Sequence, residues 1–188
     1  MKKAIAVVMD PIESIKISKD TSFALLLEAQ SRGYFIYYVE PGSLNIDGGH
    51  TFAYLSELIV KDDISEYFQK GPSKLTALST MSVILMRKDP PVDDQFIYDT
   101  QILSLAESEG VLVVNSPQGL RDMNEKLTAL LFPQCCPETL VSRNKKDLKA
   151  FIQKHRDTVL KPLDGMGGKS IFRVKDNDSN INVILETL

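Results

Sequence analysis

The amino-acid sequence predicts an α/β protein whose N-terminal part is an open, mostly parallel sheet. Short continuous apolar runs at residues 4–9, 82–86 and 111–114 are typical of strands that are buried on both faces. Helical patterns and a hairpin separate these runs, in the order strand, helix, strand, hairpin, strand, helix, strand. This order is the one expected of an open α/β sheet with right-handed crossovers.

The elements of the N-terminal part follow from local patterns in chain order. The first helical pattern ends at Gly33, and the aromatic and β-branched residues at 34–40 predict the second strand. The Asp-Gly-Gly turn at 47–49 lies between alternating runs and predicts a hairpin. The polar segment 61–79 predicts a connection with one short helix, after which a further strand, a second amphipathic helix closed by Gly110 and a last strand complete the sheet.

After this last strand the pattern changes. Residues 118–132 predict a helix, and residues 138–144 predict a short strand. Residues 144–157 predict a polar helix with Leu148 and Ile152 on one face.

The change in pattern predicts a domain boundary near residues 117–124, with domains at residues 1–122 and 123–188. A length of 188 residues suits one large domain, or one domain and part of another. No internal repeat or low-complexity segment is present.

The composition is that of a globular protein with a core that needs neither disulfides nor metal, since 43% of residues are hydrophobic and 25% are charged. The net charge of −3 has both signs interspersed, so nucleic acid is not expected as a partner. No apolar stretch approaches the roughly 20 residues that span a membrane. The first apolar run ends at Asp10-Pro11, which favours a buried strand over a signal peptide, and we expect a cytoplasmic protein.

The cysteines and histidines predict neither a disulfide nor a metal site. Cys135 and Cys136 are adjacent, which is unfavourable for a disulfide between them, and we interpret them as reduced structural thiols. His50 and His155 have no ligand spacing around them.

The glycine-rich stretch "VLKPLDGMGGKSIFRV" at residues 159–174 lies between two predicted strands. Glycines allow positive φ and a close approach of backbone amides to an anion, and Lys161 and Lys169 flank them with positive charge. A Walker loop would need a glycine at Leu163 and a helix after the loop, so that motif does not match, and neither does the dinucleotide-binding pattern. Two interpretations remain: a flap that closes over phosphates, or a long hairpin turn with solvated lysines.

Charged residues also follow two buried strands. Arg87, Lys88 and Asp89 come directly after one strand, and Asp10 ends the first strand. Ligands of open α/β sheets bind at the carboxyl ends of strands, where Arg87 and Lys88 could hold a carboxylate and Asp89 an ammonium group. The alternative is a solvated strand end that Pro90 and its neighbour Pro91 terminate.

Four ordered motifs carry a resemblance to a known family. The motifs "VMDPI", "ILMRKDPP", "VNSPQGLRDMNEKL" and "LKPLDGMGGKSIFRV" together resemble the bacterial (prokaryotic) glutathione synthetase family of ATP-grasp ligases. The resemblance covers nearly the whole chain, and "KPLDGMGG" is its most specific part. It implies a Rossmann-like pre-ATP-grasp substrate domain followed by the first α+β lobe of an ATP-grasp domain, with its glycine-rich flap.

The resemblance also implies a reaction. The family joins γ-glutamylcysteine to glycine with conversion of ATP to ADP and phosphate, through an acyl phosphate on the cysteinyl carboxylate. Mg²⁺ would offset the charge of the phosphates. Such chemistry relies on positioning and charge neutralisation, which agrees with the lack of a convincing nucleophile–base pair in the sequence.

The resemblance implies site residues at individual positions of this sequence, and it assigns no residue as catalytic. Lys126 and Lys161 would contact the ATP phosphates. For Lys126, the spacing alone leaves open the alternative that its side chain lies on a solvated helix face. The flap would comprise Asp164, Gly165, Met166, Gly167, Gly168 and Lys169. The peptide substrate would face Asp10, Arg87, Lys88 and Asp89.

Members of the family are longer than this chain and form homo-oligomers. The adenine-binding hinge and the acidic Mg²⁺ ligands would follow Leu188, so we expect no metal ligands and no ligase activity in the 188 residues alone. We also expect Val183, Ile184 and Leu185 to lack packing partners. The alternatives are another ATP-grasp carboxylate–amine ligase and a non-catalytic ligand-binding fragment.

Overall fold

The computed structural model describes residues 3–164 and 167–188. The chain forms two compact units, Met1–Asp122 and Met123–Leu188. Gly165 and Met166, which the sequence analysis assigns to the flap, lie outside the described residues.

The N-terminal unit consists of one sheet with helices on both of its faces. Its strands are β1 (Ala4–Val8), β2 (Phe35–Val39), β3 (Leu44–Asp47), β4 (His50–Val60), β5 (Phe68–Ala77), β6 (Val83–Met86) and β7 (Leu112–Val114). Its helices are α1 (Thr21–Ser31), α2 (Asp94–Ser108) and α3 (Pro117–Asp122).

The strand order in this sheet is β3-β4-β2-β1-β6-β7, and β5 also pairs with β4. Strands β2, β1, β6 and β7 are parallel neighbours, whereas β3, β4 and β5 pair in antiparallel fashion. The predicted α/β class is confirmed, and so is the hairpin at residues 47–49, which joins β3 to β4. The carboxyl ends of β1 and β6 meet at one edge, which brings Asp10 and Arg87 to the same side of the sheet.

The prediction for residues 61–79 is wrong. Most of this segment forms β5, a ten-residue strand that pairs with β4 from Phe52 opposite Ala77 to Val60 opposite Phe68. Its side chains are mostly exposed, so it lacks the apolar alternation by which a half-buried strand is recognised. Backbone pairing with the long strand β4 stabilises it instead.

Two buried clusters cover the two faces of the sheet. One contains Leu103 and Ala106 of α2 and Ile84 of β6, and the other contains Phe23 and Leu26 of α1. Side-chain caps fix where these helices begin: the carboxylate of Asp20 accepts from the amide of Phe23 at 2.7 Å, and that of Asp93 accepts from the amide of Phe96 at 2.9 Å.

The second unit is built on a two-stranded antiparallel sheet. Its elements are α4 (Glu125–Thr128), α5 (Lys145–His155), β8 (Asp157–Leu160), β9 (Phe172–Lys175) and α6 (Ile181–Thr187). Helix α5 buries Ile152, in agreement with its predicted apolar face, and Val174 of β9 is fully buried. The two strands around the glycine-rich stretch are therefore confirmed as an antiparallel pair.

Three expectations about residues 118–188 are corrected. The predicted helix 118–132 is interrupted, because the side chain of Asn124 caps a new helix start at α4. Residues 138–144, all of them described, contain no strand. Leu185 is only 6% exposed because α6 packs it into the unit, whereas Val183 is 62% exposed as expected.

Candidate functional site

The second unit contains a cleft of about 820 Å³. Its walls come from α4, the segment that follows residue 135, α5, β8 and the glycine-rich stretch. Four of the predicted nucleotide-binding residues line this cleft: Lys126, Lys161, Gly167 and Gly168. Asp164 and Lys169 are exposed and lie outside its lining.

The position of Lys126 follows from the cap of helix α4. The side-chain oxygen of Asn124 accepts hydrogen bonds from the amides of Lys126 and Leu127 at 3.0 and 3.2 Å. The amide group of the same side chain donates to the carbonyl oxygen of Leu163 at 3.0 Å. Asn124 therefore connects the start of α4 to the loop that follows Lys161.

The ammonium group of Lys126 is held inside the unit. Its Nζ lies 2.9 Å from Oε1 of Glu125 and 3.4 Å from the carbonyl oxygen of Leu163, and its side chain is 19% exposed. The hydrogen bond and charge of Lys126, with a further contribution from the charge of Lys161, lower the pKa of the Glu125 carboxyl group. The positive charges of Lys126 and Lys161 thus both act on the Glu125 carboxylate, and all three residues line the cleft.

The backbone at Gly167 and Gly168 adopts the positive φ angles that glycine allows. Their φ angles are 64° and 80°, in the left-handed region, and a Cβ at either position would meet nothing within 4 Å. The need for glycine here is therefore conformational and not a matter of space. Their amides border the same cleft as Lys161.

The opposite wall of the cleft is largely apolar and was not recognised from the sequence. The rings of Phe151 and His155 stack with centroids 4.2 Å apart, and Nε2 of His155 lies 3.4 Å from Oε1 of Glu138. Cys136 also lines the cleft, and its thiol contacts the carbonyl oxygen of Ala129 at 3.1 Å. The helical spacing of Phe151 and His155 on α5 was the only available signal for this wall.

The charged strand ends of the N-terminal unit form a second group. The amide of Asp89 donates to the carboxylate of Asp10 at 2.9 Å, which ties the end of β6 to the end of β1. The Nε atom of Arg87 donates to the hydroxyl of Ser22 at 3.0 Å, and Ser22 is buried at the start of α1. The structure therefore brings Asp10, Asp89 and Arg87 to one edge, as predicted from the strand ends.

The side chain of Lys88 makes a different kind of contact from that of Arg87. Its Nζ lies 5.9 Å from the ring centroid of Phe96, a cation–π contact with helix α2. Sequence reasoning did not identify Ser22 or Asn115, whose amide group donates to the carbonyl oxygen of Met86 at 3.4 Å. Only the three-dimensional packing of α1 and β7 on β6 reveals these two contacts.

Comparison with known proteins identifies the family. Residues 3–121 match the family model "Prokaryotic glutathione synthetase, N-terminal domain", and residues 125–188 match "Prokaryotic glutathione synthetase, ATP-grasp domain". Glutathione synthetase of Xylella fastidiosa strain 9a5c is 58% identical over 184 residues, which is 98% of this chain and 59% of the relative. Glutathione synthetase of Escherichia coli strain K12 is 55% identical over 184 residues, or 98% of this chain and 58% of that relative.

The chain thus spans about three-fifths of the length of these relatives. Among solved structures, D-alanyl-alanine synthetase A from Vibrio cholerae matches 99% of this chain and 56% of its own, with a TM-score of 0.54 and 12% identity. That likeness concerns the fold alone. On the matches to both family domains and the identity to these relatives, the chain belongs to the prokaryotic glutathione synthetase family.

Proposed function

We propose that this chain is part of an ATP-dependent carbon–nitrogen ligase that joins γ-glutamylcysteine to glycine and yields glutathione, ADP and phosphate. The observation that carries the proposal is the cleft of the second unit, where Lys126, Lys161 and two left-handed glycines converge. Cations beside backbone amides are a recurrent arrangement for holding a polyphosphate. In this proposal, residues 123–188 form the first lobe of the ATP-grasp domain, and residues 1–122 form the substrate domain.

In the second unit, the proposed role of the chain is to hold the phosphates of ATP. Lys126 and Lys161 supply two positive charges, and the amides at Gly167 and Gly168 supply donors. Asp164, Gly165, Met166 and Lys169 complete the proposed flap. Neutralising and orienting the phosphates is the main contribution that a protein can make to transfer of the γ-phosphoryl group to a carboxylate.

In the N-terminal unit, the proposed role is to hold the dipeptide. The hydrogen bond from Nε of Arg87 to Ser22 fixes the plane of the guanidinium group, and its Nη groups make no hydrogen bond or ion pair within the described residues. This leaves them available for a carboxylate of the substrate. Asp10, Lys88 and Asp89 are proposed to line the same edge.

The proposed chemistry needs orientation and does not need a nucleophile from the protein. The cysteinyl carboxylate of the dipeptide takes the γ-phosphoryl group, and the amine of glycine attacks the resulting acyl phosphate and releases phosphate. Bringing these groups together at a fixed angle supplies much of the acceleration in reactions of this kind.

Mg²⁺ belongs to the proposed reaction, but the described residues do not build a site for it. Within residues 3–164 and 167–188, no group of three or more His, Cys, Asp or Glu side chains could hold a metal ion.

Nucleotide binding tests the proposal at the cleft. In the protein that contains these residues, titration with ADP followed by calorimetry should show that Lys161→Met weakens binding by about tenfold or more, because a charge-assisted contact is lost. Lys149→Met is the matched control, since Lys149 is an exposed lysine of α5 and should leave the affinity unchanged. Equal affinities of the two variants, or ADP binding that maps outside the cleft, would contradict the proposal.

Substrate choice distinguishes the proposed ligase from another ATP-grasp carboxylate–amine ligase. In the protein that contains these residues, release of ADP should require both γ-glutamylcysteine and glycine, and D-alanine should not replace them. ADP release that depends on D-alanine would favour the alternative ligase. Saturable binding of the dipeptide with no turnover under any condition would favour a non-catalytic ligand-binding protein.

Other expectations stay predictions. They are the homo-oligomeric state, the cytoplasmic location and the absence of turnover by residues 1–188 alone. Among the described residues, no helix is both long enough and apolar enough to cross a membrane.

A further inference from the structure

The two faces of the parallel part of the N-terminal sheet are covered unequally. Helix α2 packs against β7, and Ile84 of β6 and Val113 of β7 are buried in the cluster that contains this helix. On the opposite face, α1 packs mainly against β2 and β4. The α1 side of β6 and β7 therefore extends beyond the strands that α1 covers.

A row of aliphatic side chains across three strands shows where this cover ends. Val7 of β1 is directly opposite Leu85 of β6, and Leu85 is directly opposite Val114 of β7. Val7 belongs to the buried cluster that contains α1, and Leu85 packs against that cluster, so the row lies on the α1 side. Val7 is fully buried and Leu85 is half-buried, whereas Val114 is 43% exposed.

A second row gives the same result. Ile5 of β1, Val83 of β6 and Leu112 of β7 are opposite one another, two positions before the members of the first row, and therefore lie on the same face. Ile5 is buried and Val83 is half-buried, whereas Leu112 is 58% exposed. The aliphatic surface formed by Val83, Leu85, Leu112 and Val114 is called here the β6–β7 face.

The sequence of β7 is that of a strand covered on both faces. Residues 111–114 form a continuous apolar run, and parallel strands occur almost only where both faces of the sheet are buried. Ile59 of β4 provides the contrast, because this exposed residue follows Glu57 by two positions and is directly opposite Gln69 of β5. Single exposed apolar residues are ordinary, whereas a contiguous aliphatic surface on an edge strand favours aggregation unless something covers it.

The length of the relatives indicates what covers the β6–β7 face. About two-fifths of the Xylella fastidiosa and Escherichia coli glutathione synthetases has no counterpart among these 188 residues. A segment of the same polypeptide is held at high effective concentration, so a small apolar contact is sufficient to bind it. A second copy of the chain fits less well, because four side chains, two of them half-buried, bury far less than the roughly 800 Å² per partner of a stable dimer.

We propose that, in the full-length protein that contains these residues, the β6–β7 face is the docking surface for this remaining part of the chain, which covers it with apolar side chains. Leu85 lies two positions before Arg87, so one end of the face borders the strand end that carries Arg87. The proposal rests on family membership and on the packing of the N-terminal unit. Failure of the ligase proposal would leave it unchanged.

Cysteine labelling of the full-length protein tests the proposal. Leu112→Cys places a thiol on the β6–β7 face, and Ile59→Cys is the matched control, since the two native side chains are 58% and 46% exposed. The rate of reaction with a maleimide is measured at each site by peptide mass spectrometry and divided by the rate for the same variant unfolded in urea. We expect Leu112→Cys to react about tenfold more slowly than Ile59→Cys, or slower still, because a docked segment must open first.

The other outcomes of the labelling experiment contradict the proposal. Equal relative rates at the two sites, or a faster reaction at Leu112→Cys, would mean that the β6–β7 face is not covered. Slow reaction at Leu112→Cys that disappears when the protein is diluted would assign the cover to a second copy of the chain.

Thermal stability provides a second measurement in case Leu112→Cys disturbs the docking. In the full-length protein, Leu112→Ala should lower the melting temperature by about 4 °C or more, because a buried leucine is truncated. Ile59→Ala, at an exposed strand position, should lower it by less than about 2 °C. Equal decreases would refute the proposed cover, because both residues would then behave as exposed strand positions.

Discussion

The two units, each of which contains one candidate site, differ in the size of their buried apolar cores. In the N-terminal unit, buried clusters cover both faces of the sheet, and the strand ends with Asp10 and Arg87 project directly from it. In the second unit, Ile152, Val174 and Leu185 are the buried apolar side chains among the described residues. The lysines and glycines of the cleft therefore lie on a unit with a small core, in which local opening is expected to cost less free energy than in the N-terminal unit.

The largest effect should come from the core of the N-terminal unit. Leu103 of α2 is fully buried in one of its clusters, and Leu103→Ala should lower the free energy of unfolding by about 2–5 kcal/mol, because apolar contacts are lost and a cavity remains. Chemical denaturation of the whole chain, followed by circular dichroism and tyrosine fluorescence, measures this change.

The second unit supplies the matched control. Leu131 is 69% exposed there, and Leu131→Ala should change the free energy of unfolding by less than about 0.5 kcal/mol. Similar losses at Leu103 and Leu131 would mean that the difference in packing between the units does not translate into stability.

Local sequence patterns predicted those parts of the fold in which one segment determines its own conformation. Apolar runs predicted β1 and β6, and the glycine turn at residues 47–49 predicted the hairpin. The exposed strand β5 escaped prediction because β4, and not its own sequence, stabilises it. The same limit holds for the predicted helix at 118–132, where the cap at Asn124 interrupts a continuous helical pattern.

The candidate sites were predictable to a similar extent. The residue types at Lys126, Lys161 and Arg87 indicated anion binding, and the family motifs assigned them roles that stay predictions. The partners of these residues could not be predicted, since Ser22 is 65 positions away from Arg87 and Leu163 is 37 positions away from Lys126. Spacing along the chain contains no information about such contacts until the fold is known.

A smaller effect is expected at the helix cap that connects α4 to the cleft. Asn124→Ala removes both the cap of α4 and the hydrogen bond to Leu163, and it should lower the stability of the second unit by about 1 kcal/mol. ADP affinity should also fall severalfold, because Lys126 and the loop after Lys161 lose their connection. Amide hydrogen exchange and ADP titration measure the two effects.

Asn144→Ala is the matched control for this cap. Asn144 caps α5 through the amide of Lys146 at 2.9 Å and does not line the cleft. Its substitution should lower stability by a similar amount and leave ADP affinity unchanged. Equal losses of ADP affinity in both variants would assign the effect to general destabilisation of the unit.

The smallest expected effect is a difference in pH dependence between the units. Burial raises the pKa of Asp99 in α2, although a hydrogen bond from Gln95 and the charge of Lys88 oppose the shift. In the second unit, hydrogen bonds from lysine and arginine side chains lower the pKa values of the exposed carboxyl groups of Glu138 and Asp157. The two kinds of carboxyl group should therefore affect stability in opposite directions.

For Asp99, the folded state favours the protonated form. Its contribution to stability is fully present below the ordinary pKa of 3.8 and is lost as the pH rises through the raised value. The free energy of unfolding of the unsubstituted chain, minus that of Asp99→Asn, should therefore fall as the pH rises above the ordinary aspartate pKa of 3.8. A difference that rises with pH would mean that Asp99 is stabilised as a carboxylate, which would contradict the prediction.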